Sequence, residues 1–235
     1  MRDDTSYNLI ARRFVGSDAE ALKEIAESVG ASSSFENVIE ASRAQFEAIY
    51  ERKIWGEGSG VGSSYDVSKP YIDFLTSFIS LNEIKSVVDF GCGDWQFSQY
   101  IDWSGIKYLG FDVVRTVVQQ NNEKYSEDNI SFREFRNFDE VPSVDLIVAK
   151  EVLQHLPNVN VVEYIGHLRE KCRFLLLTND ETPTELINTE IGPGGWRSLR
   201  LDREPFTLNG AYVFSYRSVR EGLIKSTYLI RGSLA

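Results

Sequence analysis

The sequence is poor in the residues that support disulfide-rich or membrane-spanning folds. Among its 235 residues are only two cysteines, and no apolar run approaches the roughly 20 residues that a membrane-spanning helix needs. Cys92 and Cys172 alone cannot form a disulfide framework, which favours the reducing cytoplasm. The first residues, MRDDTSYNLIARRF, carry acids and arginines and no apolar core, so we expect no secretory signal there.

An excess of basic residues is also lacking. Lys and Arg number 25 against 35 Asp and Glu, which gives a formal net charge of -10. A protein that binds nucleic acid through phosphates normally presents a basic stripe. Here the arginines form only short clusters, Arg12-Arg13 and Arg197, Arg200 and Arg203. We therefore expect no nucleic-acid partner, although Arg197 or Arg200 could hold one anionic group of a small substrate.

From residue 71 onward, short apolar runs alternate with helical segments. This alternation predicts a mostly parallel sheet covered by helices on both faces. The end of the chain differs, because GAYVFSYRS and GLIKSTYLIRG are joined only by VREG, which predicts an antiparallel hairpin at a sheet edge. The other predicted strands are KSVVDFG, KYLGFD, ISFREF, VDLIVAKE and RFLLLTND, and the predicted helices are PYIDFLTSFISL, DWQFSQYID, VRTVVQQNNEKYSE and NVVEYIGHLREKC.

The beginning of the chain has a different pattern. Residues 18–53 show the three-to-four spacing of apolar residues that is typical of helices. Glycines and serines then dominate residues 56–64, GEGSGVGSS, which is typical of a loop that closes over a ligand, with ordinary turns as the alternative. We therefore divide the chain into N-terminal helices with a substrate-covering loop, residues 1–64, and a second domain, residues 65–235.

The stretch VVDFGCGDW places a glycine turn directly after a buried strand. Gly91 and Gly93 let the backbone approach a ligand closely and adopt positive φ, and ligands bind beyond the carboxyl ends of such strands. The dinucleotide fingerprint needs a third glycine, but that position is Gln96. Asp94 would repel a pyrophosphate and attract a cationic nucleoside such as S-adenosylmethionine. The next strand ends at Asp112, 21 residues after Gly91, where an acid typically binds ribose hydroxyls.

Together these motifs resemble the class I S-adenosylmethionine-dependent methyltransferases over residues 65–232. VVDFGCGDW is similar to their first glycine motif, YLGFD to their ribose-binding strand and DLIVAKEVLQHL to their fourth strand and the helix after it. The resemblance implies a Rossmann-like, doubly wound α/β fold, with seven mostly parallel strands, an antiparallel C-terminal hairpin and an N-terminal helical extension. KIWGEGSGVGSS and GGWRSLRLDREPF resemble small bacterial-type methyltransferases of glycan and secondary-metabolite pathways.

The cofactor contacts that the resemblance implies fall into three groups. The glycine turn surrounds the methionine moiety, the end of the second strand holds the ribose and adenine, and the end of the third strand reaches the adenine. Lys150 lines the cofactor through its backbone or alkyl stem, and Trp95 either stacks at the site or packs against the sheet. The three groups are Gly91, Cys92, Gly93 and Asp94; Asp112 and Val113; and Asn137, Phe138 or Asp139.

Only two histidines are available for proton transfer. The resemblance places His155, in KEVLQHLP, at the mouth of the site, whereas His167 lies beside the buried stripe of its helix. An unperturbed pKa near 6.5 suits a general base at neutral pH, so His155 is the candidate base for a hydroxyl acceptor. Alternatively, His155 only shapes the pocket.

A metal-assisted mechanism is a further alternative. In metal-dependent O-methyltransferases, acids and an amide gather at the ends of the fourth and fifth strands. Here those ends offer Glu151, Asn179, Asp180 and Glu181, hard oxygen ligands that suit magnesium. Lys150 at the site-facing position would oppose a cation, so we predict no metal.

The predicted function is methyl transfer from S-adenosylmethionine to a hydroxyl of a small molecule or glycan. Trp55, Tyr65, Trp196 and Arg197 are the candidate substrate-binding residues, because they lie beside the glycine-rich segments. N-methylation of a small-molecule amine is the alternative, since an amine can arrive neutral and needs no strong base. Methylation of a nucleic-acid base is disfavoured by the acidic charge and because no Asn/Asp-Pro-Pro-aromatic motif follows the fourth strand.

Overall fold

A computed structural model describes residues 35–183 and 185–234 of the chain. The predicted helical segment between residues 18 and 30 lies outside the described residues. The strands are β1 (Ser86–Phe90), β2 (Lys107–Asp112), β3 (Ile130–Glu134), β4 (Val144–Lys150), β5 (Cys172–Asp180), β6 (Ala211–Arg217) and β7 (Ile224–Arg231). The helices are α1 (Phe35–Glu51), α2 (Tyr65–Leu81), α3 (Arg115–Tyr125) and α4 (Asn158–Glu170).

The seven strands form one sheet in the order β3-β2-β1-β4-β5-β7-β6. Strands β1 to β5 run parallel, and β7 runs antiparallel to both β5 and β6. The chain leaves β1 toward β2 on one side and later returns to β4 on the other, which opens a crevice at the carboxyl ends of β1 and β4. The predicted Rossmann-like sheet, mostly parallel with an antiparallel C-terminal hairpin, is confirmed.

Each face of the sheet carries its own apolar core, because successive strand residues point to opposite faces. Val87 and Leu146 pack on the face that α2 covers, whereas Val88 and Ile147 pack on the face that α4 covers through Ile165. Fully burying a side chain of this kind stabilises the fold by about 1.5–3 kcal/mol. Burial on both faces explains why these strands are continuous apolar runs rather than alternating ones.

The segment after the glycine turn does not form the predicted helix. Gly93 has a φ of 54° and Trp95 a φ of 60°, so both are left-handed and the chain cannot enter a right-handed helix at this point. With this left-handed backbone, the indole of Trp95 is buried against the rings of Tyr108 and Phe132. Only a 3-10 turn at Ser98–Tyr100 follows.

Helix α2 starts at Tyr65, five residues before the predicted start at Pro70, which lies inside the helix. The negative charge of Asp66 in the first turn interacts favourably with the positive end of the helix dipole, which stabilises the helix at this start.

Within the described ranges, no helix combines the length and apolar character that crossing a bilayer requires.

Candidate active site

A cavity of about 390 Å³ opens at the carboxyl ends of β1, β2 and β4. Two sets of residues enclose it, and we call them the sheet wall and the N-terminal wall. The sheet wall comprises Asp89, Phe90, Gly91, Cys92, Gly93, Phe97, Phe111, Asp112, Val113, Phe135, Lys150, Glu151, Val152, Gln154, His155, Leu156, Tyr164, Trp196, Glu221 and Lys225. The N-terminal wall comprises Ser42, Phe46, Tyr50, Trp55, Ser59, Gly60, Val61, Gly62 and Ser63.

The glycine turn after β1 lies between the two walls. Gly91 has a φ of 74°, and a side chain there would come within 2.4 Å of Val152. A Cβ on Gly93 would come within 2.1 Å of the Ser59 hydroxyl. Cys92 between them is buried, and burial keeps the pKa of its thiol well above the usual range. The turn therefore needs glycine at both positions, and Cys92 has a packing role rather than a nucleophilic one.

Asp112, at the end of β2, faces the cavity and braces the glycine turn. Its Oδ2 accepts a hydrogen bond from the Gly93 N–H at 3.0 Å, and its Oδ1 accepts one from the Val114 N–H at 2.9 Å. Burial raises the pKa of this carboxyl to about 6, although the backbone N–H donors act in the opposite direction. At neutral pH Asp112 is thus an ionised acceptor at the point where the predicted ribose hydroxyls would bind.

Asp89 also lines the cavity, and sequence reasoning did not identify it. Its Oδ2 accepts hydrogen bonds from the Tyr108 hydroxyl at 2.6 Å and the Ser98 hydroxyl at 3.1 Å. Burial raises the pKa of Asp89 to about 6. An acid inside an apolar strand, two residues before Gly91, was the signal in the sequence that could have identified it.

His155 lies in a 3-10 turn after β4 and lines the cavity. Its Nδ1 is 2.7 Å from the carbonyl oxygen of Gly195, which can only accept, so Nδ1 carries the proton and Nε2 carries the lone pair in the neutral ring. The imidazole lies 4.8 Å from the ring of Trp55, centroid to centroid. Burial lowers the pKa of His155, so the ring is neutral at neutral pH.

A chain of alternating charges lies beside His155 in the sheet wall. Glu151 accepts hydrogen bonds from the ammonium groups of Lys150 and Lys225, and Lys225 also lies 3.2 Å from Glu221. Burial alone would raise the pKa of Glu151, but the two ammonium groups outweigh it and lower the pKa to about 2. Lys150 also donates to the carbonyl of Gly62 at 2.9 Å, which connects this cluster to the N-terminal wall.

Two of the four possible metal ligands named from the sequence, Glu151 and Glu181, lie beside cationic side chains. The carboxylate of Glu151 is paired with the ammonium groups of Lys150 and Lys225. The Oε2 atom of Glu181 lies 3.6 Å from Nε of Arg200. Among residues 35–183 and 185–234, no three His, Cys, Asp or Glu side chains are grouped as a metal site would require.

Several predicted cofactor contacts lie away from the cavity and are corrected. Trp95 packs within the sheet face, as described above. Asn137 caps a short turn by accepting from the Glu140 N–H at 3.2 Å, and Phe138 is buried and stacks on His167 at 4.4 Å. Phe135 instead forms the wall at the end of β3. The carboxylate of Asp94 accepts hydrogen bonds from Ser59 N at 3.3 Å and Gln96 Nε2 at 2.9 Å, outside the cavity lining.

Two of the predicted substrate contacts are also corrected. The guanidinium of Arg197 is completely buried and donates to the carbonyls of Leu153 at 3.0 Å and Leu156 at 2.8 Å, so it joins loops of the protein. Tyr65 is exposed and contacts Tyr100 outside the cavity lining. The other two candidates, Trp55 and Trp196, line the cavity.

Comparison with known proteins finds a family model that matches the chain and solved structures with a similar fold. A family model described as a methyltransferase domain matches residues 65–199. A search of curated proteins finds no match to the sequence. Among solved structures, the fold is similar to magnesium protoporphyrin IX methyltransferase from Synechocystis PCC 6803 with bound S-adenosylhomocysteine, at 16% identity and a TM-score of 0.56 over 81% of this chain and 98% of that one.

A second similar structure is the 1,6-didemethyltoxoflavin-N1-methyltransferase of Burkholderia thailandensis, with bound 1,6-didemethyltoxoflavin and S-adenosylhomocysteine. The identity is again 16%, with a TM-score of 0.60 over 85% of this chain and 91% of that one. At this identity the likeness concerns the fold.

Proposed function

The chain belongs to the S-adenosylmethionine-dependent methyltransferases of the class I type, and we propose that it methylates a hydroxyl group of a small molecule or glycan, with His155 as the general base. S-adenosylmethionine is the methyl donor. We take residues 65–235 as the catalytic domain and residues 1–64 as an N-terminal extension whose glycine- and serine-rich loop covers the substrate. The observation that carries the proposal is the position and tautomer of His155 in the cavity.

The residues of the cavity fit S-adenosylmethionine. The cofactor supplies a methyl group on a positively charged sulfur, and it carries ribose hydroxyls that donate hydrogen bonds. The carboxylates of Asp89 and Asp112 line the cavity, so they offset positive charge, and Asp112 supplies an acceptor for the ribose. The volume of about 390 Å³ lies within the roughly 300–1,000 Å³ of small-molecule sites.

His155 has the properties that a base for a hydroxyl needs. The Gly195 carbonyl holds the proton on Nδ1, so Nε2 is the atom that can accept a proton from the acceptor, whose hydroxyl would replace the long 3.5 Å contact from the Gln154 amide nitrogen. Burial lowers the pKa of the ring, which keeps Nε2 unprotonated at neutral pH. Contact with Trp55 restrains the imidazole plane, because the two ring centroids lie only 4.8 Å apart.

The surroundings of His155 support a polar, uncharged acceptor. The charged side chains beside it in the cavity wall, the carboxylates of Glu151 and Glu221 and the ammonium groups of Lys150 and Lys225, are paired with one another, and the guanidinium of Arg197 is bonded to backbone carbonyls behind the wall. Such a set offers donors and acceptors to hydroxyl groups, whereas a charged ligand would have to displace an existing ion pair. The indoles of Trp55 and Trp196 offer apolar faces in the same cavity.

The same ion pairs favour base catalysis over metal assistance. A divalent cation at Glu151 would lie beside two ammonium groups, which would repel it.

The two cysteines, Cys92 and Cys172, are buried free thiols, which supports a reducing compartment such as the cytoplasm.

The test begins with labelled S-adenosylmethionine and a panel of sugars, phenols and amines. On the best acceptor, His155→Ala and the bulkier His155→Gln should each lower kcat by about 10²–10⁴-fold, which is the usual contribution of a general base. The affinity for S-adenosylhomocysteine should stay unchanged. In the wild type, kcat should rise with pH through a pKa below the usual histidine value, because burial lowers it, and this step should be missing in both variants.

His167→Ala is the matched control, because His167 stacks on Phe138 and does not line the cavity. It should leave kcat and its pH profile unchanged. A loss of less than roughly tenfold in the His155 variants, about 1.4 kcal/mol in activation free energy, would contradict the base role. That result, together with an amine as the best acceptor, would favour N-methylation and a pocket-shaping histidine.

A further inference from the structure

Helix α1 lies before the segment that the family model matches, residues 65–199, and yet it forms much of one cavity wall. Ser42, Phe46 and Tyr50 line the cavity and are spaced four residues apart, so they share one face of the helix. Eight residues of α-helix span about 12 Å. The helix therefore runs along the cavity rather than touching it at one point.

Contacts of α1 fix its direction relative to the sheet. At the middle of the helix, Arg43 donates to the carbonyls of Val113 and Phe135, both at 3.3 Å, at the ends of β2 and β3. Near its end, the hydroxyl of Tyr50 lies 3.2 Å from the position of a Cβ built on Gly93. The second half of the helix, from Arg43 to Tyr50, thus runs from the ends of β2 and β3 to the glycine turn after β1.

The two ends of the cavity along this helix differ in polarity. The end near Arg43 is lined by Phe46, Val113 and Phe135, with Ser42 as the polar side chain beside these apolar groups. The end at the glycine turn is lined by the hydroxyls of Tyr50 and Ser59, together with the buried carboxylate of Asp89. The adenine of S-adenosylmethionine is planar and largely apolar, whereas its amino-acid end carries an ammonium and a carboxylate. Polarity therefore matches the amino-acid end to the glycine turn.

The backbone of the glycine turn has no N–H group left for that carboxylate. Each N–H from residue 91 to residue 94 already donates within the protein, at 2.8–3.0 Å. A carboxylate bound there needs a donor from a side chain, because an unpaired buried charge is costly. The acceptors in use are Phe111 O for Gly91 and Cys92, Asp112 Oδ2 for Gly93, and Ser59 Oγ for Asp94.

Tyr50 and Ser59 together supply such a donor. Their hydroxyl oxygens are 2.7 Å apart, so one proton lies between them and the second remains to be donated. Within the described part of the chain, the Asp94 N–H is the only other group that bonds to this pair, and it is itself a donor. Burial and the carboxylates of Asp112 and Asp94 raise the pKa of the Tyr50 phenol, so its proton is retained.

We propose that Tyr50 and Ser59 bind the amino-acid end of S-adenosylmethionine, so that the helix and loop before the matched domain complete the cofactor site. In this role the segment around Tyr50 and Ser59 is a cofactor ligand, in addition to any role in covering the acceptor. The proposal concerns cofactor binding alone and does not depend on which acceptor the enzyme methylates.

The test compares two ligands by isothermal titration calorimetry on the full chain. S-adenosylhomocysteine has the amino-acid end, whereas 5′-methylthioadenosine has the same nucleoside and thioether without it. Tyr50→Phe should weaken binding of S-adenosylhomocysteine about tenfold, the value of one hydrogen bond to a charged group, and change binding of 5′-methylthioadenosine by less than about twofold. Ser59→Ala should show the same selectivity, because it removes the partner that orients the phenol.

Tyr65→Phe is the matched control, because the Tyr65 side chain is exposed and lies outside the cavity lining. It should leave both affinities unchanged. Equal losses for the two ligands in Tyr50→Phe and Ser59→Ala would overturn the proposal, since the hydroxyls would then shape the nucleoside end or the fold. Unchanged affinity for S-adenosylhomocysteine in both variants would overturn it as well. Thermal unfolding of each variant identifies any loss of affinity that comes from loss of fold.

Discussion

The two walls of the cavity are attached to the protein in different ways. The sheet wall is continuous with the core, and its two lysines are paired with carboxylates, as Lys225, 1% exposed at its side chain, is paired with Glu151. The polar residues of the N-terminal wall are held instead by hydrogen bonds in which at least one partner is uncharged, such as Asp94 N–H to Ser59 and Lys150 to Gly62, while Phe46 and Trp55 pack against the core and against His155. Substitutions in the sheet wall should therefore affect folding and binding together, whereas substitutions in the N-terminal wall should affect mainly binding.

The largest effect is expected in the sheet wall. Lys225→Met removes a buried ammonium and leaves Glu151 with one cationic partner instead of two. Breaking a buried ion pair from one side typically costs about 3–5 kcal/mol, so the free energy of unfolding in urea should fall by about that amount. Adding Glu151→Gln should recover part of the loss, because it removes the uncompensated charge.

Lys69→Met is the control for this prediction. Lys69 pairs with Asp73 one helical turn away on the exposed surface of α2, where solvent screens the pair. The control should leave stability unchanged. If the Lys225→Met variant were as stable as the wild type, the ion pair would not be buried and the contrast between the two walls would be wrong.

A smaller effect is expected where the walls meet. Gly93→Ala places a methyl group within 2.1 Å of the Ser59 hydroxyl and forces the N-terminal wall away from the glycine turn. Binding of S-adenosylhomocysteine should weaken by about tenfold or more, which corresponds to about 1.4 kcal/mol or more. Isothermal titration calorimetry measures this loss directly.

Gly105→Ala is the matched control, because Gly105 has a similar left-handed φ of 71° but has no atom within 4 Å of its Cβ position. Both substitutions carry the same backbone strain, roughly 1–2 kcal/mol. Only Gly93→Ala should change cofactor affinity. Equal affinities in the two variants would mean that contact between the walls does not matter for binding.

Most of the sheet and part of the site could be predicted from the sequence. The strands are apolar runs bounded by turn residues, so their number and approximate positions followed from local pattern. Gly91, Gly93 and Asp112 lie at strand ends that a parallel sheet brings to one edge, and all three line the cavity. For these residues, position along a strand is sufficient to place the side chain.

The rest could not be predicted, because it depends on contacts between distant segments. Glu151, just after β4, and Lys225, in β7, are 74 residues apart and meet because only β5 lies between these two strands in the sheet. Arg197 follows a glycine-rich segment, where a residue that binds substrate could be expected. Its guanidinium is instead buried and donates hydrogen bonds to carbonyls of another loop. Trp95 directly follows the glycine motif, but its left-handed backbone turns the indole into the sheet face.

The cofactor should contact both walls of the cavity, and hydrogen–deuterium exchange of the full chain can measure this. Added S-adenosylhomocysteine should slow amide exchange in the sheet wall, around residues 89–93 and 112–114, and in the N-terminal wall, around residues 46–60. NAD should slow exchange in neither. Slowing confined to the sheet wall, with residues 46–60 exchanging as fast as before, would contradict the account.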